Sequence, residues 1–237
     1  MLKEKPKERY LNYYNELLKK TKGYKMKVLV ACEESQAVAK AFRKLGHEAY
    51  SCDIQDCSGG KPQWHIKGDA LVEAYSGKYD LMIAHPPCTY LAVSGARWMY
   101  NNDGSICLER LKNRNKALDF VRKLLDAPIE KIALENPVSV ISSAIRKPDQ
   151  IIQPYEYGHS EAKKTCLWLK NLPKLKPTKI VNKGEFVEWI DKNGKKKRQA
   201  KWYLDVLSKA KTKAERQKLR SKTYQGIADA MAQQWSI

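Results

Sequence analysis

The chain has 237 residues, 43% of them hydrophobic, and sets 45 Lys and Arg against 26 Asp and Glu for a formal net charge of +19. That length can bury one sizeable core and at most one small second domain, and the hydrophobic share excludes a disordered chain. The cationic excess points to a polyanionic partner held with strong salt dependence.

Six cysteines, at 32, 52, 57, 88, 107 and 166, form no CxxC pair, so reduced thiols in a cytoplasmic protein are expected. Cys52, Cys57 and His65 fit no zinc spacing and lack a fourth ligand, and no metal is expected. No apolar run approaches the ~20 residues of a membrane span.

Residues 6–22 predict a helix with Tyr10, Tyr14, Leu17 and Leu18 on one stripe, part of a basic extension over 1–25. A buried strand follows over 27–31, then Cys32-Glu33-Glu34-Ser35-Gln36. Next comes a helix carrying Val38, Ala39, Phe42 and Leu45, closed by Gly46. A second strand over 48–52 ends in Asp53, about 20 residues past the loop, where the acid of a nucleotide-binding βαβ unit bonds ribose hydroxyls. The loop itself is not glycine-rich.

Beyond Ser58-Gly59-Gly60 and Gly68-Asp69-Ala70, the run Leu81-Met82-Ile83 predicts a buried strand that Pro86 and Pro87 must end. Cys88 is thereby presented on a stiff loop at the carboxyl edge of the sheet, where ligands bind in open α/β folds. It is a candidate nucleophile. A helix over 106–125 carries Leu108, Leu111, Leu118, Val121 and Leu125, and the strand Ile132-Ala133-Leu134 ends in Glu135-Asn136-Pro137. Cys88 and Glu135 are thus expected at one edge.

After Pro148 the pattern turns antiparallel, with a strand over 165–169 and an alternating segment over 185–190. Asn193-Gly194 then signals a hairpin, with Lys195, Lys196, Lys197 and Arg198 opening the returning strand. Residues 174–222 hold about a dozen net positive charges interleaved with Trp189, Trp202 and Tyr203, which suits phosphate and base contacts. A final helix over 223–235 places Ile227, Ala230 and Met231 toward the sheet. The expected organisation is a basic extension (1–25), a catalytic core (26–173), a reduced basic insertion (174–222) and a C-terminal helix packing back on the core (223–237).

These motifs resemble, in order and spacing, the cytosine-C5 DNA methyltransferase family, in a small form like those encoded by bacteriophages. The likeness spans residues 26–158 and, more weakly, the terminal helix. Ala84-His85-Pro86-Pro87-Cys88 with Ser94-Gly95 looks like the family's Pro-Cys loop, and Glu135-Asn136-Pro137 like its Glu-Asn-Val. Asp53-Ile54 and Gly68-Asp69-Ala70 fall where the family holds the ribose and adenine of S-adenosylmethionine. Glu161-Ala162-Lys163-Lys164-Thr165 falls where it has Gln-x-Arg-x-Arg.

The resemblance implies a Rossmann-like class I methyltransferase fold: α/β, with a mostly parallel sheet, helices on both faces and a small basic hairpin/helical insertion. It implies S-adenosylmethionine as cofactor, held by Ala31, Glu33, Glu34, Asp53, Ile54, Asp69, Ala70 and Pro86. It implies DNA as partner, met by Ser94, Lys164, Lys195, Lys196, Lys197 and Arg198, and a monomer with no membrane association. Two departures stand out. The glycine-rich donor loop is replaced by Ala31-Cys32-Glu33-Glu34-Ser35, where a carboxylate is expected to attract the donor's positive charges. The second arginine of the later motif is Thr165, so Lys163 or Lys164 is expected to face the cytosine carbonyl.

The expected chemistry is addition of the Cys88 thiolate to C6, favoured by a basic surround. Glu135, desolvated and with a raised pKa, would protonate N3 while Lys163 stabilises charge at the carbonyl. The base must be flipped or single-stranded to reach Cys88. An amino-methyltransferase acting on adenine N6 or cytosine N4, a nucleic-acid-binding protein on an altered methyltransferase scaffold, and the same chemistry with a modified donor stay open as alternatives.

Overall fold

The computed structural model describes residues 25–236, so the helix expected over 6–22 lies outside the described residues. Seven strands form one sheet: β1 (Lys27–Ala31), β2 (Glu48–Asp53), β3 (His65–Lys67), β4 (Leu81–Ala84), β5 (Lys131–Pro137), β6 (Gln150–Ile152) and β7 (Thr165–Lys170). Their spatial order is β3-β2-β1-β4-β5-β7-β6. The first five are mutually parallel, and β7 runs antiparallel between β5 and β6. This is the expected Rossmann-like α/β architecture. Strand order reverses between β1 and β4, and the crevice beyond their carboxyl ends is where such sheets bind ligands.

Alternate residues of each central strand feed two separate cores. Val28, Val30, Leu81, Ile83 and Ala133 pack against α1 (Ala37–Lys44), against Ile227, Met231 and Trp235 of a terminal helix, Gln225–Trp235, and against Leu167. Leu29, Ala31, Met82, Ala84, Ile132 and Leu134 face the other way, onto α2 (Ala70–Ala74), α3 (Leu108–Leu125) and α4 (Ile141–Ala144). Burial on both faces is why β1 and β4 are continuous apolar runs instead of alternating ones.

β4 stops at Ala84, before the two prolines, as expected. β5 continues through Glu135 and Asn136 to Pro137, past the expected end, because β7 pairs with it as far as Pro137↔Thr165. The short strands β3 and β6 carry only three residues each and leave no periodic trace in the sequence.

The basic insertion forms its own two-stranded sheet, β8 (Phe186–Ile190) and β9 (Lys196–Ala200), followed by α5 (Lys201–Lys209) and α6 (Lys213–Ser221). Its five-residue connection uses Gly194 in the left-handed region (φ 73), with the Gly194 N–H donating to the Asp191 carbonyl at 2.9 Å. The chain then returns as the terminal helix, now α7, which packs against α1. Among the described residues no helix is long and apolar enough to cross a membrane.

The close approach of α7 to the chain depends on Gly226. Its N–H donates to His159 Nε2 at 2.9 Å, and a Cβ there would collide with the Tyr157 carbonyl. Gly226→Ala is expected to destabilise the fold by about 1–3 kcal/mol through overpacking, read as a lower urea midpoint at unchanged m-value.

Candidate active site

The site is built on strand register. Ala31 of β1 pairs with Cys52 and with Ala84, and Ala84 pairs with Leu134. The next residue on each strand, Asp53, Cys32, His85 and Glu135, therefore lies in one row at the carboxyl edge. Three strand spacings separate the ends of that row, about 14 Å. Neighbours in a row share a face, so His85 and Glu135 meet: Nδ1 of the imidazole lies 3.0 Å from Glu135 Oε2.

That pair sets the charge state of the cleft. Burial works against the His85 imidazolium, but the hydrogen bond to Glu135 and the charges of Glu135 and Glu33 outweigh it. Together they hold His85 above its ordinary pKa, with Lys163 opposing. Burial alone would raise Glu135; the His85 hydrogen bond and charge, with Lys163, hold it below the usual value. Glu135 is therefore an ionised carboxylate in the free protein, contrary to the expectation of a raised pKa. The reason is an imidazole partner that the motif Glu-Asn-Pro does not disclose.

Cys88 sits half-buried on the loop after β4. That loop is stapled to β5 and the segment after it. Asn136 Nδ2 donates to the Pro86 carbonyl at 2.9 Å, Val93 N–H to the Val138 carbonyl at 3.1 Å, and Val140 N–H to the Leu91 carbonyl at 3.0 Å. The Cys88 carbonyl accepts from the N–H groups of Leu91 and Ala92, closing a tight turn. Burial, then the charge of Glu135, push the thiol above its ordinary pKa, and Arg220 and Lys163 pull it only part of the way back. The expected thiolate in a basic surround is corrected: the resting group is a thiol, because desolvation and the neighbouring carboxylate exceed the effect of the two cations.

Lys163 reaches the cleft because β7 is antiparallel. The residues that precede β7 lie beyond the carboxyl end of β5, over the site. A strap of residues 159–164 is anchored there. Trp202 Nε1 donates to the Ala162 carbonyl (3.0 Å), Lys163 Nζ donates to the Arg220 carbonyl (2.7 Å), and the Tyr224 hydroxyl donates to Glu161. Burial lowers the Lys163 pKa, while Glu135, Cys88 and Glu161 favour its charge. Lys163, Glu135 and Cys88 thus share one electrostatic environment, as expected. Arg220 was not among the expected residues. It comes from the last turn of α6, crosses to within 3.5 Å of Ser94 Oγ, and stacks over Tyr203. Nothing in the sequence distinguishes it from the other cations of the basic block.

On the donor side, the structure reassigns several expected contacts. Glu33 is 4% exposed, and its carboxylate oxygens accept the N–H groups of Val38 (2.7 Å) and Ala39 (3.2 Å) at the start of α1. It is a helix-capping acid whose two oxygens are taken up by free N–H groups of the first turn of α1, and burial holds its pKa above the ordinary value. Glu34 accepts from the Ser58 hydroxyl, and its carbonyl accepts the Ser58 N–H at 2.9 Å. Buried Gln36 receives Lys61 N–H and donates to the Lys61 carbonyl. These bonds hold the loop in place without glycine, while Cys32 (φ 60) and Gln36 (φ 58) take left-handed backbone conformations at about 1–2 kcal/mol each.

Ala31 is fully buried in β1, and its carbonyl accepts the His85 N–H at 2.9 Å. Pro86 is likewise buried, its carbonyl taken by Asn136. Asp69 caps α2 through the Leu71 N–H (2.9 Å), with Ala70 buried in the first turn. Asp53 accepts the Gln55 N–H at 2.9 Å, and Ile54 beside it is 76% exposed. Burial and the charges of Asp53, Cys52 and Asp69 push the Cys32 thiol up to about 12, so it is inert. His65 bonds Ser51 Oγ (2.8 Å) and the Gln55 carbonyl (2.9 Å) through its two ring nitrogens.

The expected nucleic-acid contacts lie apart from this row. Ser94 is exposed on a 3-10 segment, Val93–Met99, after the Cys88 loop. Lys164 lines a cavity of about 380 Å³ with Tyr155, Lys183, Phe186 and Arg198. Lys195 is exposed at the hairpin turn. Lys196 and Arg198 pair with Glu188 (2.8 and 3.5 Å), and Lys197 lies 3.6 Å from Asp191. These pairs lie largely at the surface and are weak.

No protein-family model and no curated protein matches the chain. Among solved structures it is similar to the SAM-dependent methyltransferase from Agrobacterium tumefaciens, at 15% identity and a TM-score of 0.31. The match covers 54% of this chain and 44% of that one, so the chain spans less than half the length of that protein.

Because burial and Glu135 together raise the Cys88 pKa, alkylation of Cys88 by iodoacetamide is expected to be slower at pH 7.5 than that of a free thiol. Arg220→Ala should move the alkylation profile to higher pH and Glu135→Gln to lower pH, as measured by mass spectrometry of the Cys88 peptide.

Proposed function

We propose that the chain is an S-adenosylmethionine-dependent DNA cytosine-C5 methyltransferase that acts through a covalent bond between Cys88 and C6 of a flipped or single-stranded cytosine. The observation that carries this reading is the convergence of a thiol, a carboxylate backed by an imidazole, and an ammonium at the carboxyl ends of β4, β5 and the start of β7. An amino-methyltransferase needs no thiol at this place.

The donor crevice fits an adenosyl group in its chemistry. Asp53 offers a carboxylate at the end of β2, and exposed Ile54 offers an apolar plate beside it. The end of β1 and the Cys88 loop flank the switch point next to them. S-adenosylmethionine would supply an electrophilic methyl group there. Toward the base, Glu135 accepts from the exocyclic amine and meets N3, while Lys163 and Arg220 stabilise the negative charge that develops as sulfur adds to the ring. The resting thiol suits this scheme: a buried, protonated Cys88 stays unreactive until a substrate ring is placed against it.

The basic hairpin and Lys164 supply salt-sensitive grip on the phosphates. A region this small favours broad recognition over a long target site.

Cys88→Ser is expected to abolish transfer of labelled methyl groups to cytosine-containing DNA, whereas the wild type forms a denaturation-resistant adduct with 5-fluorocytosine DNA. Glu135→Gln should lower kcat by about 10²–10⁴-fold. Full activity of Cys88→Ser would overturn the covalent scheme. Replacing Lys195, Lys196, Lys197 and Arg198 with Ala should weaken DNA binding and flatten its dependence on log salt by up to about 0.9 per lost phosphate contact, with kcat at saturation little changed.

A further inference from the structure

The motif that presents Cys88 also carries His85, a partly buried titratable group that the chemistry above leaves without a role of its own. Its side chain is only 13% exposed and its partner Glu135 25%. Nδ1 is committed to Glu135 Oε2 at 3.0 Å, while Nε2 is buried with no hydrogen-bond partner. The backbone N–H of His85 is tied to the Ala31 carbonyl at 2.9 Å, so the ring stands on the two central strands.

The groups that face His85 come from three directions. Glu33, fixed by the first turn of α1, acts from the β1 side, Glu135 from β5, and Lys163 from the strap. The charges of Glu135 and Glu33 favour a proton on the imidazole and that of Lys163 opposes it, with burial holding Glu33 above and Lys163 below their ordinary pKa values. An uncharged packing residue would need neither carboxylate, and a plain hydrogen-bond tether would not need a titratable ring.

We propose that His85 is the proton reserve of the base pocket, a positioning residue that keeps Glu135 aligned and supplies through it the proton that the pyrimidine N3 takes up. The proposal rests on the cytosine reading and extends it. As the Cys88 sulfur bonds to C6, its thiol proton leaves to water. The C5=C6 electron pair moves to C4–C5, and the C4=N3 pair comes to rest on N3. The Nδ1 proton of His85 passes first to the Glu135 carboxylate, leaving the imidazole neutral, and Glu135 then gives that proton to N3. The C4=C5 pair then bonds the methyl carbon as that carbon's bond to the donor's sulfonium sulfur breaks, and C4=N3 is restored. The C5 proton leaves to solvent, its bonding pair restores C5=C6, and the C6–S bond breaks to release the Cys88 sulfur. The N3 proton returns through Glu135 to His85, and the sulfur recovers a proton from water.

The test combines the pH dependence of methyl transfer in the wild type, His85→Asn and Glu135→Gln with ¹⁵N NMR titration of the His85 ring in the wild type and Glu135→Gln. Asn at 85 can still offer an N–H toward Glu135 but cannot titrate. In the wild type, kcat is expected to fall as pH rises through the His85 pKa seen by NMR, which lies above about 6.5. His85→Asn should lose that limb and run about 100-fold slower at low pH, with KM for DNA within about twofold. In Glu135→Gln the His85 pKa should drop.

Wild-type kcat with an unchanged pH profile in His85→Asn would reduce His85 to a tether and overturn the proposal. So would a His85 that titrates at or below the ordinary value in the wild type, whether or not methyl transfer is seen. Absence of methyl transfer from a wild type whose His85–Glu135 couple titrates as expected would overturn the cytosine reading alone.

Discussion

The constraint on which the structure depends is the register of four parallel strands. Ala31, Cys52, Ala84 and Leu134 lie side by side, each buried, and each is the last apolar residue before its strand delivers something polar. Shifting any one strand by a single residue would send its whole apolar set to the opposite core, so register is strongly specified. The polar row beyond inherits that precision. His85 and Glu135 meet because Ala84 and Leu134 meet.

Electrostatics then follows from packing. A carboxylate, an imidazole, an ammonium and a thiol are gathered where water is largely excluded, so each group's protonation depends on its neighbours. Glu135 stays ionised against the effect of burial, Cys88 stays protonated despite two cations, and Lys163 is pulled toward neutrality. The direction of each shift is set by burial and these neighbours together, not by residue type alone. The cleft is a coupled set, in which a change at one member bears on the others.

The peripheral parts serve that set. The α1 cap made by Glu33 holds the donor loop without glycine, and Gln36 and Glu34 hold the 58–61 segment across from it. The strap before β7 is stitched by residues from α5, α6 and the start of α7, so the basic insertion is mechanically joined to Lys163 and Arg220.

Much of this was legible in the chain itself. Apolar runs at 28–31 and 81–84, two prolines before Cys88, Gly46 after a helix and Asn193-Gly194 in a hairpin are local signals, and local physics decides them. They determined a Rossmann-like α/β fold and the delivery of Cys88 and Glu135 to one edge. Only the tertiary structure decided that Glu33 caps α1, that His85 backs Glu135, and that Arg220 crosses from a distant helix to Ser94, where its charge bears on the thiol. Those outcomes depend on which residues become neighbours across strands and on how far burial shifts a charge. Neither quantity is a property of a residue or of its spacing along the chain.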